Sequence, residues 1–374
     1  MKFVVAAYGS RGDIEPCIAV AGELQRRGHD VQMAVTVPAD LRSHVEATGL
    51  STQPYGQDWQ ELLATDDFTR MLRNPMSTIP QAVDYVARVN AEKTAALAAL
   101  ADGADLVVAG MTEQETAAKV AERYRIPVAA LHFFPAQILP QGASWPDHEP
   151  DRALQIQAYD EICIPGLAAG WGDGADRRPF VGALTLQLPT DTDDDVASWI
   201  SAGSPPVYFG FGSMPVAGPA EMVAVIGAAC ARTDVRALIC LGPNYFDESP
   251  DSAQVKTIRD ANHAAVFPAC RAVVHHGGAG TTAAGMRAGA PSLVLWSGLD
   301  QPVWATSVAH LGVGFGRRFS ESTLDTLTAD LQAILSRSYS EQARSGAPQM
   351  TSPAESLTRA ADLLEEAATR GSQD

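Results

Sequence analysis

One loop of the sequence combines the residue types that bind phosphate. It covers residues 275–282, reads HHGGAGTT, and directly follows the apolar run Ala272-Val273-Val274. Where a buried strand delivers such a loop to a helix N-terminus, unpaired backbone N–H groups and the positive end of the helix dipole favour an anion. We therefore interpret residues 275–282 as a phosphate-binding loop.

The loop differs from two common nucleotide-binding motifs. It lacks the lysine of the G-x-x-x-x-G-K-[ST] motif and the spacing of G-x-G-x-x-G, so neither an ATPase nor a plain dinucleotide-binding protein fits well. A glycine-rich turn capped by Thr281 would produce the same pattern as a phosphate loop, so that alternative stays open. His275 and His276 could each be structural residues bonded to a backbone carbonyl, as histidines at strand ends commonly are.

The segments around this loop alternate between strand and helix patterns. Short continuous apolar runs, typical of strands buried on both faces of a parallel sheet, are separated by stretches with helical spacing. The predicted strands lie at residues 3–7, 31–35, 105–109, 128–131, 207–211, 237–240, 272–275 and 291–296. This alternation predicts the α/β class, with doubly wound parallel sheets.

Length and a change in composition predict two domains. At roughly 150 residues per domain, a chain of 374 residues corresponds to about two. A polar, turn-rich segment with an acidic run at residues 191–195 separates two apolar halves. We predict an N-terminal domain over residues 1–185, a linker over 186–202, a C-terminal domain over 203–350 and an amphipathic closing helix over 351–374.

Composition excludes several classes of protein. The 27 basic and 44 acidic residues give a net charge of −17, which disfavours nucleic acid or an anionic membrane as the main partner. The five cysteines are odd in number and scattered, without C-x-x-C spacing, so we interpret them as reduced core residues. The sequence shows neither a signal peptide nor an apolar run of about 18 residues. A cytoplasmic protein is expected.

Several motifs, in their order and spacing, resemble one enzyme family. They are GSRGDIEP at residues 9–16, RGHDV at 27–31, FGFGSM at 209–214, and the 275–282 loop followed by DQP at 300–302. Together they are similar to the two-domain glycosyltransferases of the GT-B fold, in the actinobacterial branch that glycosylates glycopeptide aglycones, sterols and mycobacterial glycolipids. The resemblance implies two Rossmann-like domains facing across a cleft, with the acceptor on the N-terminal domain and a nucleotide-diphospho-sugar on the C-terminal one.

The same resemblance implies a donor-binding set that spans both halves of the chain. It places the diphosphate on the 275–282 loop, the sugar hydroxyls on a neighbouring carboxylate and amide, and the nucleobase on backbone groups near residue 265. The set is Arg11, Ser213, Ala265, Val266, His276, Gly278, Gly280, Thr281, Asp300 and Gln301. For two members a structural alternative stays open, since Ser213 could cap a helix near Pro219 and Asp300 could cap the next helix.

The resemblance also implies a catalytic role for the first loop. Inverting sugar transfer needs a base that removes the acceptor proton, and Asp13 lies after the first predicted strand, at the sheet edge where such folds place ligands. Alternatively, Asp13 caps a helix that begins near Pro16, and both roles could coexist. Ser10 would orient a substrate, and Arg11 would add positive charge near the diphosphate. His132 is the next candidate for the base.

One segment departs from the family pattern. Relatives usually run some tens of residues longer between the strand near Leu131 and residues 156–160, where helices build the acceptor pocket. Here residues 135–155 alone join these positions, which indicates a loop, a natural deletion or residues missing from the chain. The acceptor is therefore not identified by the sequence.

We interpret the chain as an inverting, metal-independent glycosyltransferase. It would move a hexose or deoxyhexose from a UDP- or dTDP-sugar to a hydroxyl of a hydrophobic small molecule, without a cofactor. No D-x-D pair stands in a metal-site context, and transient membrane contact would accompany only a lipid acceptor. The alternatives are a nucleotide-sugar epimerase and a catalytically silent protein that binds sugar nucleotides.

Overall fold

A computed structural model provides the architecture of the chain. It describes residues 1–58, 75–135, 153–186, 188–190, 193–214, 216, 218–246 and 251–371, with the backbone alone at residues 40 and 75–86. The short connection singled out at residues 135–155 therefore lies almost entirely outside the described residues. So do residues 191 and 192 of the acidic run.

The chain divides into two compact units. Unit 1 contains Met1–Tyr159, Leu167–Leu186 and Pro353–Asp374, and unit 2 contains Asp160–Gly166 and Gln187–Ser352. The last residue of unit 1 before the second half of the chain, Leu186, lies at the start of the expected linker. Two further features differ from the predicted division: the short segment Asp160–Gly166 belongs to unit 2, and the closing helix belongs to unit 1.

Unit 1 is built on a parallel sheet with helices between its strands. Its described elements are β1 (Lys2–Ala6), α1 (Arg11–Arg26), β2 (Asp30–Ala34), α2 (Ala39–Thr48), β3 (Ser51–Gln53), α3 (Pro75–Ala101), β4 (Leu106–Ala109), α4 (Gln114–Tyr124), β5 (Val128–His132) and β6 (Leu154–Gln157). Among the described residues the sheet has six strands in the order β3-β2-β1-β4-β5-β6, all parallel. This is a doubly wound order.

Unit 2 repeats the architecture. Its described elements are α5 (Asp193–Ser201), β7 (Val207–Gly210), α6 (Pro219–Arg232), β8 (Ala237–Cys240), β9 (Val255–Ile258), α7 (His263–Val266), β10 (Ala272–His275), α8 (Ala279–Arg287), β11 (Ser292–Trp296), α9 (Gln301–His310), β12 (Gly314–Arg318), α10 (Leu324–Ile334) and α11 (Arg337–Gly346). Over the described part, six parallel strands follow the order β12-β11-β10-β7-β8-β9. The predicted α/β class with doubly wound sheets is confirmed.

The central strands are buried on both faces, which explains their uninterrupted apolar sequence. Residues 3–7 of unit 1 and Val207 and Phe209 of unit 2 have no exposed surface. Because helices cover both sides of a parallel sheet, these strands lack the alternation of a half-exposed strand. The apolar runs therefore predicted the inner strands of both sheets, but neither the described edge strands β3, β6, β9 and β12 nor the strand order.

The predicted linker contains a helix. Helix α5 falls within residues 186–202, and its Val196 is buried in a cluster with Phe267 and Val273 of unit 2, against which Trp199 also packs. Of the acidic residues that suggested a polar connection, Asp193, Asp194 and Asp195 form the first turn of this helix. Acidic side chains in a first turn are stabilised by the helix dipole, so the same residues are compatible with a helix start.

The closing helix α12 (Pro353–Gly371) packs on unit 1. Its Ala360, Ala361, Leu364 and Ala368 are fully buried, as the predicted helical spacing requires. Arg27, at the end of α1, donates hydrogen bonds to Asp362 and Glu365 at 2.7 and 3.0 Å. The helix is thus held by an apolar face and an ion-pair cluster. No described helix is long and apolar enough to cross a bilayer.

Candidate active site

Each sheet has one point where its strand order reverses. In unit 1 it lies between β1 and β4, and in unit 2 between β7 and β10. The loops that leave the two strands at such a point run in opposite directions and open a crevice at the carboxyl edge of the sheet. The predicted Asp13 loop follows β1, and the predicted phosphate loop follows β10, so both lie at reversal points.

The phosphate loop leads into the N-terminus of α8, as predicted. Gly278 is the N-cap residue, and the first helical turn begins Ala279-Gly280-Thr281. Thr281 therefore lies inside the helix and does not cap it; Thr282 donates its hydroxyl proton to the Gly278 carbonyl at 2.9 Å. The first N–H groups of a helix have no intrahelical acceptor, so Gly280 and Thr281 present an anion-binding end.

His276 is enclosed by two glycines. A Cβ atom added to Gly212 would lie 2.5 Å from its Cε1, and one added to Gly278 would lie 2.7 Å from its Nε2. Burial lowers the pKa of His276 to about 4, although a hydrogen bond with the backbone of Gly210 opposes that shift. The ring is thus neutral near pH 7, with one donor and one acceptor nitrogen. Its buried Nδ1 has no hydrogen-bond partner among the described residues.

His275 has the structural role left open by the sequence. It is fully buried, and its Nδ1 accepts a hydrogen bond from the Gly277 N–H at 3.1 Å. Burial, with the neighbouring His276 and His263, lowers the pKa of His275 to about 3. His275 therefore shapes the turn through its Nδ1, and a buried nitrogen without a partner among the described residues remains on each ring, the Nε2 of His275 and the Nδ1 of His276.

Ser213 lies on the loop after β7, the other strand at this reversal point. Helix α6 is capped by Gly218, so the alternative in which Ser213 caps that helix is wrong. Ser213 is half-buried, and the turn is closed by a hydrogen bond from the Met214 N–H to the Phe211 carbonyl at 3.2 Å. Its position beside the phosphate loop is compatible with the donor-binding role implied by the resemblance.

The predicted sugar-binding pair starts α9. Asp300 occupies the N-cap position without a side-chain capping bond, and its Oδ2 accepts from the Trp304 indole N–H at 2.9 Å. The Gln301 Oε1 accepts from the Ser297 N–H at 2.7 Å, which closes the preceding turn. A Cβ added to Gly277 would lie 3.1 Å from the Gln301 Cβ, so the pair lies beside the phosphate loop.

Ala265 and Val266 are the residues whose backbone groups, by the resemblance, would contact the nucleobase. Both lie in the short helix α7, and their N–H groups donate to the Asn262 carbonyl at 3.1 and 2.9 Å. These donors are therefore already used inside the protein. A nucleobase contact at Ala265 would have to use its carbonyl oxygen.

The Asp13 loop of unit 1 is organised around one carboxylate oxygen. The backbone N–H and the hydroxyl of Ser10 both donate to the Asp13 Oδ2 at 2.8 Å. Gly9 has a φ of +130°, and a Cβ at that residue would lie 2.5 Å from the same oxygen. Helix α1 begins at Arg11 and not near Pro16. Asp13 therefore lies within the first turn, where its carboxylate accepts the N–H of the N-cap residue Ser10.

The environment of Asp13 suits a general base. Burial raises its pKa, the hydrogen bonds from Ser10 oppose this, and the negative charge of Glu113 raises it further. The residue as a whole is half-buried, and its Oδ1 accepts no hydrogen bond among the described residues. A carboxylate with a raised pKa and a vacant lone pair can take a proton from a bound hydroxyl.

Two other predicted site residues of unit 1, Arg11 and His132, have surroundings that do not favour their predicted roles as those of Asp13 do. Arg11 donates its Nε–H to Glu15 at 2.8 Å within α1, so its predicted role near a diphosphate stays a prediction. His132, the alternative base, is buried at the end of β5, and burial together with the charge of Arg178 lowers its pKa to about 4. A general base works best when its pKa lies near the working pH, so a pKa this low disfavours His132 as the base at neutral pH.

Sequence reasoning missed a buried charged cluster behind the Asp13 loop. Glu113, on the loop after β4, accepts hydrogen bonds from Tyr55 and Lys93, each at 2.5 Å. The polar residues that follow the apolar run 105–109 marked a loop at the sheet edge. Nothing in the local sequence pattern indicated that Glu113 would contact Lys93 and Tyr55, which lie 20 and 58 positions earlier in the chain. Among the described residues, no three His, Cys, Asp or Glu side chains form a metal-binding group.

Comparison with known proteins identifies relatives over nearly the whole chain. Residues 3–137 match the glycosyltransferase family 28 N-terminal domain, and residues 248–363 match the erythromycin biosynthesis protein CIII-like C-terminal domain. An uncharacterized glycosyltransferase of Mycobacterium tuberculosis is 49% identical over 99% of this chain and 100% of its own. The vancomycin aglycone glucosyltransferase of Amycolatopsis orientalis is 30% identical over 90% of each chain.

Solved structures share the fold at low sequence identity. The calicheamicin glycosyltransferase CalG4 superposes with a TM-score of 0.69 at 18% identity, over 99% of this chain and 98% of its own. The glycosyltransferase VinC, solved in complex with dTDP, superposes with a TM-score of 0.67 at 19% identity, over 99% of this chain and 100% of its own. These matches confirm the predicted GT-B fold.

Proposed function

Because the chain belongs to the glycosyltransferase family of these relatives, with the GT-B fold, we propose that it is an inverting enzyme acting on hydrophobic small molecules. The donor would be a hexose or deoxyhexose linked to UDP or dTDP, and the acceptor a hydroxyl of a natural product, sterol or glycolipid. The names of the relatives support this substrate class, since one acts on vancomycin aglycone and another was solved with dTDP.

One observation carries the proposal: a helix N-terminus preceded by a glycine-rich loop lies at the reversal point of one sheet, and the half-buried Asp13 lies at that of the other. The two groups are what sugar transfer requires. The helix end of α8 and the donors of His276 and Thr281 would hold the diphosphate and stabilise its charge as it leaves. The Asp13 carboxylate would take the proton of the acceptor.

The proposed step is a single displacement. The acceptor oxygen forms a bond to the anomeric carbon while the bond from that carbon to the diphosphate oxygen breaks. The acceptor proton passes to the Oδ1 of Asp13, and the electron pair of the broken bond leaves with the nucleoside diphosphate. Attack from the face opposite the diphosphate inverts the anomeric configuration. Helix-dipole and side-chain donors would perform the charge stabilisation that a metal ion performs elsewhere, so we expect no metal requirement.

The test is release of nucleoside diphosphate from UDP- and dTDP-hexoses, with and without a panel of hydrophobic alcohols. The proposal predicts release only when an acceptor is present, a product of inverted anomeric configuration, and rates unchanged by EDTA. Release without any acceptor would instead favour an epimerase. Donor binding without turnover across the whole panel would favour a silent binding protein. We further expect the enzyme to act in the cytoplasm, with membrane contact only for a lipid acceptor.

A further inference from the structure

A charged cluster is buried at the reversal point of unit 1. Glu113 has no exposed surface and Lys93 is 5% exposed, yet the two form an ion pair. The Glu113 carboxylate also accepts from the Tyr55 hydroxyl, and from the Thr112 hydroxyl at 3.1 Å. We call Tyr55, Lys93, Thr112 and Glu113 the Glu113 cluster.

The Glu113 cluster is poorly explained by stability alone. Taking an ion pair out of water costs free energy, and apolar residues of similar volume often stabilise a fold as well or better. The Lys93 ammonium lies 4.3 Å from the centre of the Tyr8 ring and 5.3 Å from that of Tyr55, which partly replaces its lost hydration. The Glu113 cluster therefore holds a carboxylate and its compensating ammonium in fixed positions inside unit 1.

The cluster is attached to the loop that carries Asp13. The Thr112 hydroxyl has a single proton, for which the Tyr8 carbonyl at 2.8 Å and the Glu113 Oε1 at 3.1 Å are both acceptors, and Tyr8 directly precedes Gly9 and Ser10. Strands β1 and β4 pair in register, and the Gly110 N–H donates to the Ala6 carbonyl at 2.8 Å. The two loops consequently leave neighbouring strands side by side, which brings the charge of Glu113 close enough to Asp13 to influence it.

We propose that Glu113 is a positioning residue for catalysis: held by Lys93 and Tyr55, it fixes the loop after β1 and sets the pH range in which Asp13 can accept the acceptor proton. This inference rests on the proposed function, because it concerns the base named there. Glu113 does not touch the carboxylate of Asp13; it acts through its charge and through the hydrogen bonds of Thr112.

The sign of the effect follows from the charges that face Asp13. On α1 these are Arg11 and Glu15, which pair with each other, and the thiol of Cys17, whose pKa burial raises far above its usual range. From the loop after β4 the negative charge of Glu113 faces Asp13, with Lys93 and Tyr55 behind it. Removing the Glu113 charge should make the ionised form of Asp13 more favourable and extend activity to lower pH.

The experiment compares Glu113→Gln with the parent protein. The acidic limb of kcat/KM against pH should move down by about 0.5 to 1 pH unit, because one nearby negative charge is lost. A titration of the Asp13 carboxyl carbon by NMR, identified by its loss in Asp13→Asn, should show the same shift. Unchanged midpoints in both measurements would overturn the proposal.

Glu113→Gln leaves Lys93 buried without its partner and could unfold the protein. The double variant Glu113→Gln, Lys93→Met removes both charges, and the midpoint should again move to lower pH, by a smaller amount. A midpoint that stays or rises in a folded double variant contradicts the proposal.

The two hypotheses fail in different ways. If Asp13→Asn keeps parental turnover, Asp13 is not the base and the proposed mechanism fails, while the NMR midpoint still shows whether Glu113 acts on Asp13. If Asp13→Asn is inactive but neither Glu113 variant moves the midpoint, the mechanism stands and only the role of Glu113 is refuted.

Discussion

Gly212 lies directly beside the His276 ring at the reversal point of unit 2. The imidazole occupies the space a side chain at residue 212 would need, since a Cβ there would lie 2.5 Å from the His276 Cε1. Gly212 also has a φ of +57°, which few residues other than glycine adopt at low cost. The loop after β7 thus holds the ring that the loop after β10 contributes.

Replacing Gly212 should therefore damage donor binding. In Gly212→Ala the methyl group displaces the His276 ring, and we expect about a tenfold or greater loss of nucleoside diphosphate affinity by isothermal titration, with a lower melting temperature. The matched control is Gly227→Ala within α6, where the nearest atom, of Val255, would be 3.6 Å away. If the two variants bind equally well, the packing of His276 does not matter for the donor.

Donor binding should also depend on the side chains of the phosphate loop. His276→Ala and Thr281→Ala each remove a hydrogen bond to the diphosphate, worth about 1 to 3 kcal/mol, or roughly 5- to 150-fold in dissociation constant. His310→Ala, an exposed histidine on α9, serves as the control. Unchanged affinity in both loop variants would show that the diphosphate binds elsewhere.

The role of Asp13 can be separated from its structural bonds. In Asp13→Asn the side-chain oxygen can still accept from Ser10, so the melting temperature should stay near the parental value. Its amide cannot take a proton, and turnover should fall by about 100- to 10,000-fold while donor affinity holds. Because the pKa of Asp13 is raised, parental kcat/KM should already decline at a pH above the usual carboxylate range.

Asp300 should act on the sugar and not on the nucleotide. Asp300→Ala should raise KM or lower turnover for the full donor, while binding of the bare nucleoside diphosphate changes little. Since the Asp300 Oδ2 also bonds the Trp304 indole, Trp304→Phe is the control that removes this bond and keeps an aromatic ring. Equal losses for donor and diphosphate in Asp300→Ala would instead mean that the residue only shapes the start of α9.

Acid should destabilise the fold through its buried histidines. The pKa of His132 is lowered to about 4, so between about pH 6.5 and 4 the unfolded chain binds a proton that the folded chain does not. The free energy of unfolding therefore falls with decreasing pH, by about 1.4 kcal/mol per unit for this group. Urea denaturation at pH 7 and pH 5 should show a smaller difference in unfolding free energy for His132→Gln than for the parent, and an equal difference would contradict the prediction.

The fold class followed from residue patterns that act locally. Continuous apolar runs such as residues 3–7 and 207–211 predict buried parallel strands because a sheet covered on both faces leaves no position for polar side chains. Glycine and hydroxyl residues after the 272–275 run predicted a helix end facing a ligand. Elements whose residues favour two structures were predicted less well. The acidic residues before Val196 were interpreted as a linker but begin a helix, and Pro16 led to a predicted start of α1 near residue 16, whereas the helix begins at Arg11.

The sequence alone was enough to predict which residues would bear chemistry: Asp13, His276 and Asp300 each lie in a recognisable motif. Only the tertiary structure decided which partners modify them. Gly212 lies beside His276, and the loop of Glu113 lies beside that of Asp13, because strand order places the ends of β7 and β10, and of β1 and β4, side by side. Strand order depends on packing between segments far apart in the chain, so a local sequence pattern does not contain it. The buried ion pair of Lys93 and Glu113 is therefore apparent only in the tertiary structure.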